Sequence, residues 1–454
     1  MPASCWDLRG FLATLEQTGE LTRVKAPVDT YLEIAALTQR VGNLIPGGSA
    51  LLFDSPRGFS WRVATNLLGS PRRAALAWGP GAIDERAKRL ERDLAEVGCG
   101  AAEQRLARIL AQTDYSPPLT AKPQWVRSAE GDLGQLPALH CWPQEAGPYL
   151  TLPVVVTRHP TTGRVNYGLY RLQLLDPKCA AIHFNPGAGA AEHLRAWSDL
   201  GQPMPVAVLL GAPPALLAAA AMPLPEAIDE AAFAGYLTGT ALECSPGPIT
   251  GLPVPACTEI VLEGSMTGGE GELEGPFGNH SGRYVEASLQ PVFRLQGLYH
   301  RPEPILPATV VGPPPMEDCY LAQVNSRLLL PLWACDQPQL LDLHLPREGI
   351  FHGAALLSVA AGSGRDVIRG LWGSKAFARS RLLVATPPEI DIRRPEQVYW
   401  HALNAVDPLM DLLLQQGQLG IDASRPRPGA QVAADAATNA LIESRWKEYF
   451  PDAE

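Results

Sequence analysis

A change in the residue pattern along the chain, from helical spacing to short β-rich runs, most constrains its fold. Between two proline-rich segments, YSPPLTAKP (115–123) and VGPPPMEDC (311–319), short β-rich runs are separated by turns. This pattern predicts a barrel-like antiparallel sheet, into which helices at 190–200 and 214–222 are inserted. The clearest of the β-rich runs are PVVVTRH, RVNYGLYRLQLL, KCAAIHF, PVAVLL and EIVLEG. Because the chain has 454 residues, we expect two or three domains rather than one.

Helical patterns alternate with short strands on both sides of this β-rich segment. In residues 4–20 the apolar side chains recur at helical spacing, and 84–112 predicts charged helices. The first 115 residues are therefore predicted to form an α/β unit. After residue 320 the same alternation returns, and residues 435–450 predict a terminal helix with Asp435 as its N-cap.

Composition excludes several classes of function. The net charge is −10 and no block of five basic residues occurs, so a nucleic acid is not an expected partner. No apolar run reaches 18 residues, which predicts no membrane span, and the N-terminus lacks the pattern of a signal peptide. The eight cysteines form no CxxC pair, which favours reduced thiols over a zinc ribbon or a disulfide scaffold. We therefore expect a cytoplasmic protein.

The glycine-containing segment AAGSGRD (360–366) follows an apolar run and precedes a helical pattern. It could be half of a dinucleotide-binding fingerprint. The third glycine is absent at the required step, and no acidic residue stands out about 20 residues later. A simple turn from strand to helix is the favoured interpretation.

Arg171 lies in the apolar and aromatic stretch NYGLYRLQ. A buried arginine costs free energy unless a carboxylate pairs with it, so this residue requires an acidic partner or an anionic ligand. The residue pattern leaves both alternatives open, a structural ion pair and a carboxylate-binding site. Three donors spread over 65 residues, Asn166, His193 and Glu230, could bind a metal, although each also has an ordinary explanation as a turn or surface residue.

Four motifs together resemble one known family. They are NYGLYRLQ, MPLPEAIDEAAFAG, VPACTEIVLEG and EGPFGNHSG, in this order and at the family's intervals. They resemble the UbiD family of decarboxylases, which depend on prenylated FMN (prFMN). The likeness covers most of the chain and weakens after about residue 385.

The resemblance implies a set of site residues. Asn166, His193 and Glu230 match the family's ligands for Mn²⁺ or Mg²⁺, and K⁺ is a further cation that it allows. Arg171 and Glu274 match two members of its catalytic network, and Asn279 and His280 lie in the same motif as Glu274. Residues matching flavin-contacting positions are Gly168, Leu169, Tyr170, Arg171, His183, Phe184, Asn185, Met222 and Pro223, with Arg425 or Arg427 as a phosphate partner.

The resemblance also implies a fold class, a cofactor supplier and an assembly. The expected fold is a mixed α+β one in three parts. These are an N-terminal α/β domain (1–115), a central split β-barrel that binds prFMN (124–310), and a C-terminal α/β domain whose terminal helix mediates dimers (320–454). A flavin prenyltransferase would supply the cofactor, and a homodimer is the expected assembly.

Asn279 departs from the family pattern, which has Asp or Glu at this position. In that family the flavin takes up the electrons left when CO₂ departs, and the acidic residue then protonates the carbon. An amide cannot act as a general acid at neutral pH, but it can donate and accept hydrogen bonds. Glu274, His280 or a water could supply the proton, Asn279 could bind a polar group on the substrate, or the protein could be a poor catalyst. We favour recognition of a polar group on the substrate.

The sequence therefore predicts a reversible prFMN-dependent decarboxylase of an aromatic, heteroaromatic or α,β-unsaturated carboxylic acid. Its sequence as a whole is most similar to the 4-hydroxy-3-polyprenylbenzoate decarboxylases of ubiquinone biosynthesis. Asn279 argues against that particular substrate, because that branch has Asp there. A homologue that binds flavin without catalysis is the alternative from another class.

Overall fold

The computed structural model describes residues 6–44, 46–128, 131–185, 187–426, 432 and 434–451. It is a mixed α/β structure. In the N-terminal part, four helices and three strands precede a charged helix that ends at Gln112. In chain order these elements are α1 (Leu8–Gln17), β1 (Leu21–Val24), α2 (Glu33–Gly42), β2 (Ala50–Phe53), β3 (Arg62–Thr65), α3 (Pro71–Leu76), α4 (Ile83–Glu96) and α5 (Ala102–Gln112).

Helix α1 forms where the apolar spacing predicts it. The side chain of Asp7 caps the helix by accepting a hydrogen bond from the Gly10 amide, and the apolar face is buried. Arg9, on the same helix, pairs with Glu259 in the central part of the chain. The Glu259 carboxylate is fully buried and accepts two hydrogen bonds from Arg9, at 2.7 and 2.9 Å. This ion pair fixes the N-terminal helix against the sheet that carries the site.

The central part of the chain contains most of the strands, with a short 3₁₀ helix at Leu133–Gln135. Its long strands are the fifteen residues of β13 and the thirteen of β16. In chain order the elements are β4 (Val126–Arg127), β5 (Tyr149–Leu150), β6 (Val154–Arg158), β7 (Val165–Leu169), β8 (Leu172–Asp176), β9 (Cys179–Ile182), α6 (Gly189–Asp199), β10 (Met204–Leu210), α7 (Pro214–Ala220), α8 (Glu230–Thr238), β11 (Cys244–Pro246), β12 (Pro253–Pro255), β13 (Ile260–Glu274), β14 (Phe277–Gly278), β15 (Tyr284–Val285), β16 (Ser288–His300) and β17 (Ile305–Ala308).

Nine of these strands form one sheet, in the order β5-β8-β9-β16-β13-β10-β6-β7, with β4 paired to β16. Every pair in it is antiparallel, as the runs of short strands predict. In this sheet β13 ends at Glu274, opposite Ser288 of β16. Strand β17 leaves this part and joins the N-terminal sheet, whose order is β1-β2-β3-β17.

The C-terminal part begins with a long helix and builds a five-stranded sheet in the order β18-β19-β20-β22-β21. A 3₁₀ helix covers Arg347–Gly349. The elements are α9 (Glu317–Asp336), β18 (Leu340–His344), β19 (Ala354–Val359), α10 (Gly364–Trp372), β20 (Leu382–Thr386), α11 (Pro395–Ala405), β21 (Leu412–Gln415), β22 (Gln418–Asp422), α12 (Ala436–Ser444) and α13 (Trp446–Tyr449).

The segment AAGSGRD forms the turn between β19 and α10, the interpretation favoured from the sequence. The first amides of α10 already have partners within the chain. Gly364 donates to Ser424 Oγ at 3.0 Å, and Arg365 donates to Asp422 Oδ2 at 3.1 Å. Because these amides are satisfied internally, this helix start does not present them to a phosphate.

Asp435 caps α12 as predicted, since its side chain accepts a hydrogen bond from the Thr438 amide. The predicted terminal helix is interrupted at Arg445, where α12 ends and α13 begins. Neither helix buries a residue within the chain. In the part of the chain that the structure describes, no helix has the length and apolar character needed to cross a membrane.

Candidate active site

The centre of the site is an ion pair between Arg171 and Glu274. Arg171 lies in the short irregular link between β7 and β8, and Glu274 is the last residue of β13. Arg171 Nε donates to Glu274 Oε1 at 2.7 Å and Nη2 donates to Oε2 at 2.9 Å, which makes the pair bidentate. The acidic partner that the sequence requires for Arg171 is therefore Glu274.

His183 completes this group from the end of β9. Its amide donates to the Arg171 carbonyl at 3.1 Å, which holds the two residues side by side. Its Nδ1 lies 2.9 Å from Glu274 Oε2, and because the ionised carboxylate can only accept, Nδ1–H is the donor. The sequence predicts only a flavin contact for His183, whereas the structure also places it on the carboxylate.

Opposing effects set the protonation of Glu274. Its side chain is only 1% exposed, and this burial by itself raises the pKa of the carboxyl. The hydrogen bonds from His183 and Arg171, with the charge of Arg171, outweigh burial and lower the pKa to about 2. Glu274 is therefore a carboxylate at neutral pH, while the Arg171 side chain keeps 16% of its surface exposed.

Aromatic and amide side chains contact the pair of Arg171 and Glu274 and the residue that follows it. The Arg171 guanidinium carbon lies 4.1 Å from the centre of the Phe277 ring, a cation–π contact. Phe277 in turn packs edge-on against the buried Tyr149. Gln173 Oε1 accepts from the Gly275 amide at 2.8 Å, which fixes the chain immediately after Glu274. Glu274 and Phe277 thus hold the Arg171 guanidinium in place before any ligand binds.

Asn279 and His280 lie in the turn of a small hairpin formed by β14 and β15. The Asn279 amide donates to the Arg283 carbonyl at 3.0 Å, and the Asn279 side-chain oxygen accepts from the His280 amide at 2.7 Å. In the described chain no hydrogen bond engages the Asn279 side-chain NH₂ group. Burial, and then the charges of Arg379 and Arg171, lower the pKa of His280.

Glu145 is a site residue that the sequence reasoning missed. It is buried, and its carboxylate accepts from the amides of Cys141 at 2.7 Å, Trp142 at 3.1 Å and Gly278 at 3.2 Å. Burial raises its pKa against the effect of these hydrogen bonds and of Arg171. Glu145 thus joins the CWPQE segment to the hairpin that carries Asn279. The acidic residue directly after CWPQ is the only signal that the sequence offers for it.

The residues predicted to contact a flavin lie on several elements and in the segments that follow them. Gly168 and Leu169 end β7, and the rings of Tyr170 and Phe184 are 5.0 Å apart in an edge-on contact. The Phe184 amide donates to Gln290 Oε1 at 3.0 Å. The remaining predicted contacts occupy irregular segments, Asn185 after β9 and Met222 with Pro223 after α7.

Two of the three predicted metal ligands line one polar cleft. Asn166 and Glu230 face one small cleft, which Arg164, Glu226 and Lys375 also border. The Tyr167 amide donates to Glu230 Oε2 at 3.0 Å, and burial raises the pKa of Glu230 to about 8. A buried carboxylate beside an amide oxygen suits a hard cation.

The third predicted ligand, His193, is fully buried and faces an arginine. Its Nδ1 is 2.9 Å from Thr157 Oγ1, and its Nε2 is 3.5 Å from Arg164 Nη2. Arg164 also pairs with Glu192 and Glu226. Among the described residues no cluster of three or more His, Cys, Asp or Glu has the arrangement to hold a metal. Asn166 and Glu230 are neighbours in one cleft with the donor types that a hard cation takes, and metal ligation by Asn166, Glu230 and His193 stays a prediction.

Basic residues of the C-terminal part occupy two different places. Arg425, predicted as a phosphate partner, has Nε 3.2 Å from Asp411 Oδ1, and Arg427 lies outside the described residues. Lys375, which the sequence reasoning missed, borders the cleft of Asn166 and Glu230. It follows α10 in a segment with no motif, so only the folded chain reveals this position.

Family comparison agrees with this geometry. Three models that describe the N-terminal, Rift-related and C-terminal domains of 3-octaprenyl-4-hydroxybenzoate carboxy-lyase match residues 12–92, 115–314 and 319–436. The chain belongs to the UbiD family. Its UbiD relatives include an uncharacterized protein of Archaeoglobus fulgidus, 34% identical and covering 97% of this chain and 98% of the relative. Another uncharacterized protein, from Aquifex aeolicus, is also 34% identical, with 97% and 92% covered.

Solved structures of UbiD-class enzymes have the same fold. An evolved dimeric form of HmfF from Pelotomaculum thermopropionicum, in complex with prFMN, has a TM-score of 0.79 and 25% identity, with 95% of this chain and 98% of that chain covered. Vanillic acid decarboxylase from Sedimentibacter hydroxybenzoicus, in its closed form, has a TM-score of 0.84. It is 24% identical and the match covers 98% and 99% of the two chains, which is evidence for the fold alone.

Proposed function

We propose that this UbiD-family protein is a prFMN-dependent decarboxylase of an aromatic, heteroaromatic or α,β-unsaturated carboxylic acid, acting reversibly. The observation that carries the proposal is the bidentate pair of Arg171 and the buried Glu274, held beside aromatic side chains. HmfF, which is 25% identical to this chain, was solved both with prFMN and with FMN. When bound, prFMN would accept the electrons released with CO₂.

Arg171 would bind the carboxylate of the substrate through the part of its guanidinium that remains exposed. Both of its bonds to Glu274 come from Nε and Nη2, so Nη1 is left for a ligand. Glu274 would keep the guanidinium oriented, and its low pKa makes it a proton acceptor rather than a donor in the resting state. The pair therefore positions the group that leaves.

The flavin would contact the predicted set from Gly168 to Tyr170, with Phe184, Asn185, Met222 and Pro223 around it. Its phosphate, with Mn²⁺ or Mg²⁺, would occupy the cleft of Asn166 and Glu230, where two oxygen ligands meet the cations of Arg164 and Lys375. His193 is the proposed third ligand, and Arg164 would then have to turn away from Nε2. Lys375 replaces Arg425 as our preferred phosphate partner, because Arg425 is paired with Asp411.

Asn279 would bind a polar substituent of the substrate. Its side-chain oxygen is engaged by the His280 amide, which leaves the NH₂ group to donate to a hydroxyl or carbonyl oxygen. The polyprenylated hydroxybenzoate of ubiquinone biosynthesis is the second candidate, supported by the name of the family models.

A panel of acids tests the proposal. The protein, produced together with a flavin prenyltransferase, should carry prFMN and release CO₂ from at least one aromatic or unsaturated acid. Protein loaded with FMN is the control and should release none. A flavin spectrum without CO₂ release on any acid would instead favour a flavin-binding homologue that does not catalyse.

The assembly and the domain division belong to the same proposal. A homodimer is supported by exposed apolar residues on α12 and α13, which have no partner surface in the described chain. We also propose three domains (1–115, 124–310 and 320–454), of which the central one is a split β-barrel, and a cytoplasmic location. Strand β17 would then belong to the central domain by sequence while pairing with the sheet of the N-terminal domain.

A further inference from the structure

A group of ring side chains from the C-terminal part lies against the hairpin of Asn279. The His280 ring is 5.2 Å from the ring of His352 and 5.2 Å from that of Phe351. Both partners belong to the loop that precedes β19. The hairpin and this loop are therefore neighbours, although 70 residues separate them in the sequence.

Two arginines extend this group. The Arg381 amide donates to the Gly353 carbonyl at 2.9 Å, which ties the segment before β20 to the loop of His352. After burial, the charge of Arg379 is the largest effect that lowers the pKa of His280, and Arg379 also acts on His352. These arginines therefore lie close enough to act electrostatically on both imidazoles.

Among the described residues, no carboxylate acts on these two imidazoles. Burial lowers the pKa of His280 and of His352, and the arginine charges that lower these pKa values further are those of Arg379 on both rings, Arg171 on His280 and Arg381 on His352. In the described chain neither Arg379 nor Arg381 forms an ion pair with a carboxylate. The buried Nδ1 of His352 also lacks a hydrogen-bond partner there. Two arginines without an ion-pair partner, near a ring nitrogen without a hydrogen-bond partner, favour an anionic ligand.

We propose that His280, His352 and Arg379 form a second anion-binding subsite, which recognises a second acidic group on the substrate. The inference rests on the proposed function, because Arg171 must hold the carboxylate that leaves. Phe277, three residues before His280 in the same hairpin, has its ring centre 4.1 Å from the Arg171 guanidinium carbon, so one ligand could reach both groups. The substrate class is then an aromatic acid with a second carboxylate or an ionised hydroxyl.

The flavin phosphate is the other source of an anion near the site. The cleft of Asn166 and Glu230 already offers it Arg164 and Lys375. Among the described residues that line this cleft, none belongs to the hairpin of Asn279. We therefore assign the phosphate to the cleft and the second acidic group of the substrate to the subsite of His280.

The test compares acids that differ only in the second charge. Terephthalate and isophthalate are paired with 4-methylbenzoate and 3-methylbenzoate, and binding to the FMN-loaded protein is measured by calorimetry, so that no turnover is needed. At least one dicarboxylate should bind about fivefold or more tightly than its methyl counterpart. Arg379→Gln and His352→Gln should each remove most of that preference, whereas Arg40→Gln, at an exposed position on α2, should leave it unchanged.

Three results would overturn the inference. They are equal affinity within both pairs, no binding of any of the four acids, and a preference that survives Arg379→Gln. Loss of flavin from Arg379→Gln with an unchanged preference would assign the arginine to the phosphate and would also refute the subsite. CO₂ release from monocarboxylic acids by the prFMN-loaded enzyme separates these failures from a failure of the proposed function.

Discussion

Arg171 shows how much a single residue can determine in this chain. It stands in an apolar and aromatic stretch, and burial there requires a partner for its charge. Glu274, 103 residues later, satisfies the guanidinium with two parallel hydrogen bonds and accepts a third from His183. The residue type and its surroundings were enough to predict that an acidic partner or an anionic ligand exists.

We expect Glu274→Gln to lower CO₂ release by about 10²–10⁴-fold. The amide has nearly the same size but only one accepting atom, so the guanidinium loses its bidentate partner and its fixed direction. Circular dichroism should show an unchanged fold. Arg171→Lys is the matched control for charge, since it keeps the cation without the planar fork, and it should also be slow. Wild-type rates in Glu274→Gln would refute the role of the pair.

The low pKa of Glu274 predicts how stability depends on pH. The carboxyl changes from an ordinary pKa of 4.5 to about 2 in the folded chain. A lowered folded-state pKa contributes stability that is complete above about pH 4.5 and is lost as the pH falls toward 2. The difference in urea midpoint between wild type and Glu274→Gln should therefore shrink between pH 6 and pH 3. A constant difference would mean that the ion pair is not its source.

Asn279→Asp tests whether the amide recognises the substrate. The carboxylate restores the family's acid but removes the NH₂ donor, so acids with a hydroxyl or carbonyl substituent should bind several-fold more weakly. Acids without such a substituent should react faster. CO₂ release is measured on hydroxylated acids and their unsubstituted parents. If the variant is faster on every acid, Asn279 makes no contribution to substrate fit.

At the scale of elements, the hairpin of β14 and β15 is positioned by residues far away in sequence. Glu145 reaches Gly278 from the segment before β5, and a side chain at Gly278 would meet Trp142 Cδ1 at 2.0 Å. The Trp142 indole donates to the Val311 carbonyl at 2.8 Å. The hairpin that carries Asn279 therefore has its place fixed by packing and by one carboxylate.

Glu145→Gln should loosen this hairpin without touching the flavin residues. Its two oxygens accept three backbone amides, and a glutamine can satisfy only those on its single oxygen. The expected result is a loss of about 1–3 kcal/mol in unfolding free energy. The rate should fall while flavin binding is kept, and the Gly278 amide should exchange its hydrogen faster. Unchanged exchange at Gly278 would show that Glu145 has no positioning role.

The sequence predicts elements better than it predicts the contacts between them. The apolar spacing of α1, the strand runs from β6 to β10 and the cap of α12 are local patterns, and they appear in the structure. Glu145 bonds to backbone amides, which any residue offers, so no partner residue marks it in the sequence. Lys375, Arg379 and His352 come near the site only because the C-terminal part folds over it.

At the scale of the whole molecule, the terminal helices stand apart from the rest of the chain. Their exposed apolar side chains include Leu441, Trp446 and Tyr449, and Phe450, directly after α13, is exposed as well. The outer face of α11 is also apolar, with Trp400 64% and Leu403 85% exposed. Two apolar surfaces that the same chain leaves uncovered suit a second copy, in which each terminal helix packs on its partner.

Deletion of residues 435–454 should therefore convert a dimer into a monomer. Because α12 and α13 bury no residue within the chain, the shortened protein should keep its fold and its flavin, with little change in the circular dichroism of the remaining residues. Light scattering after gel filtration measures the mass. Trp446→Asp in the full chain is the matched variant, since it keeps the length and places a charge in the apolar face. A dimer that persists in both proteins would place the interface elsewhere on the molecule.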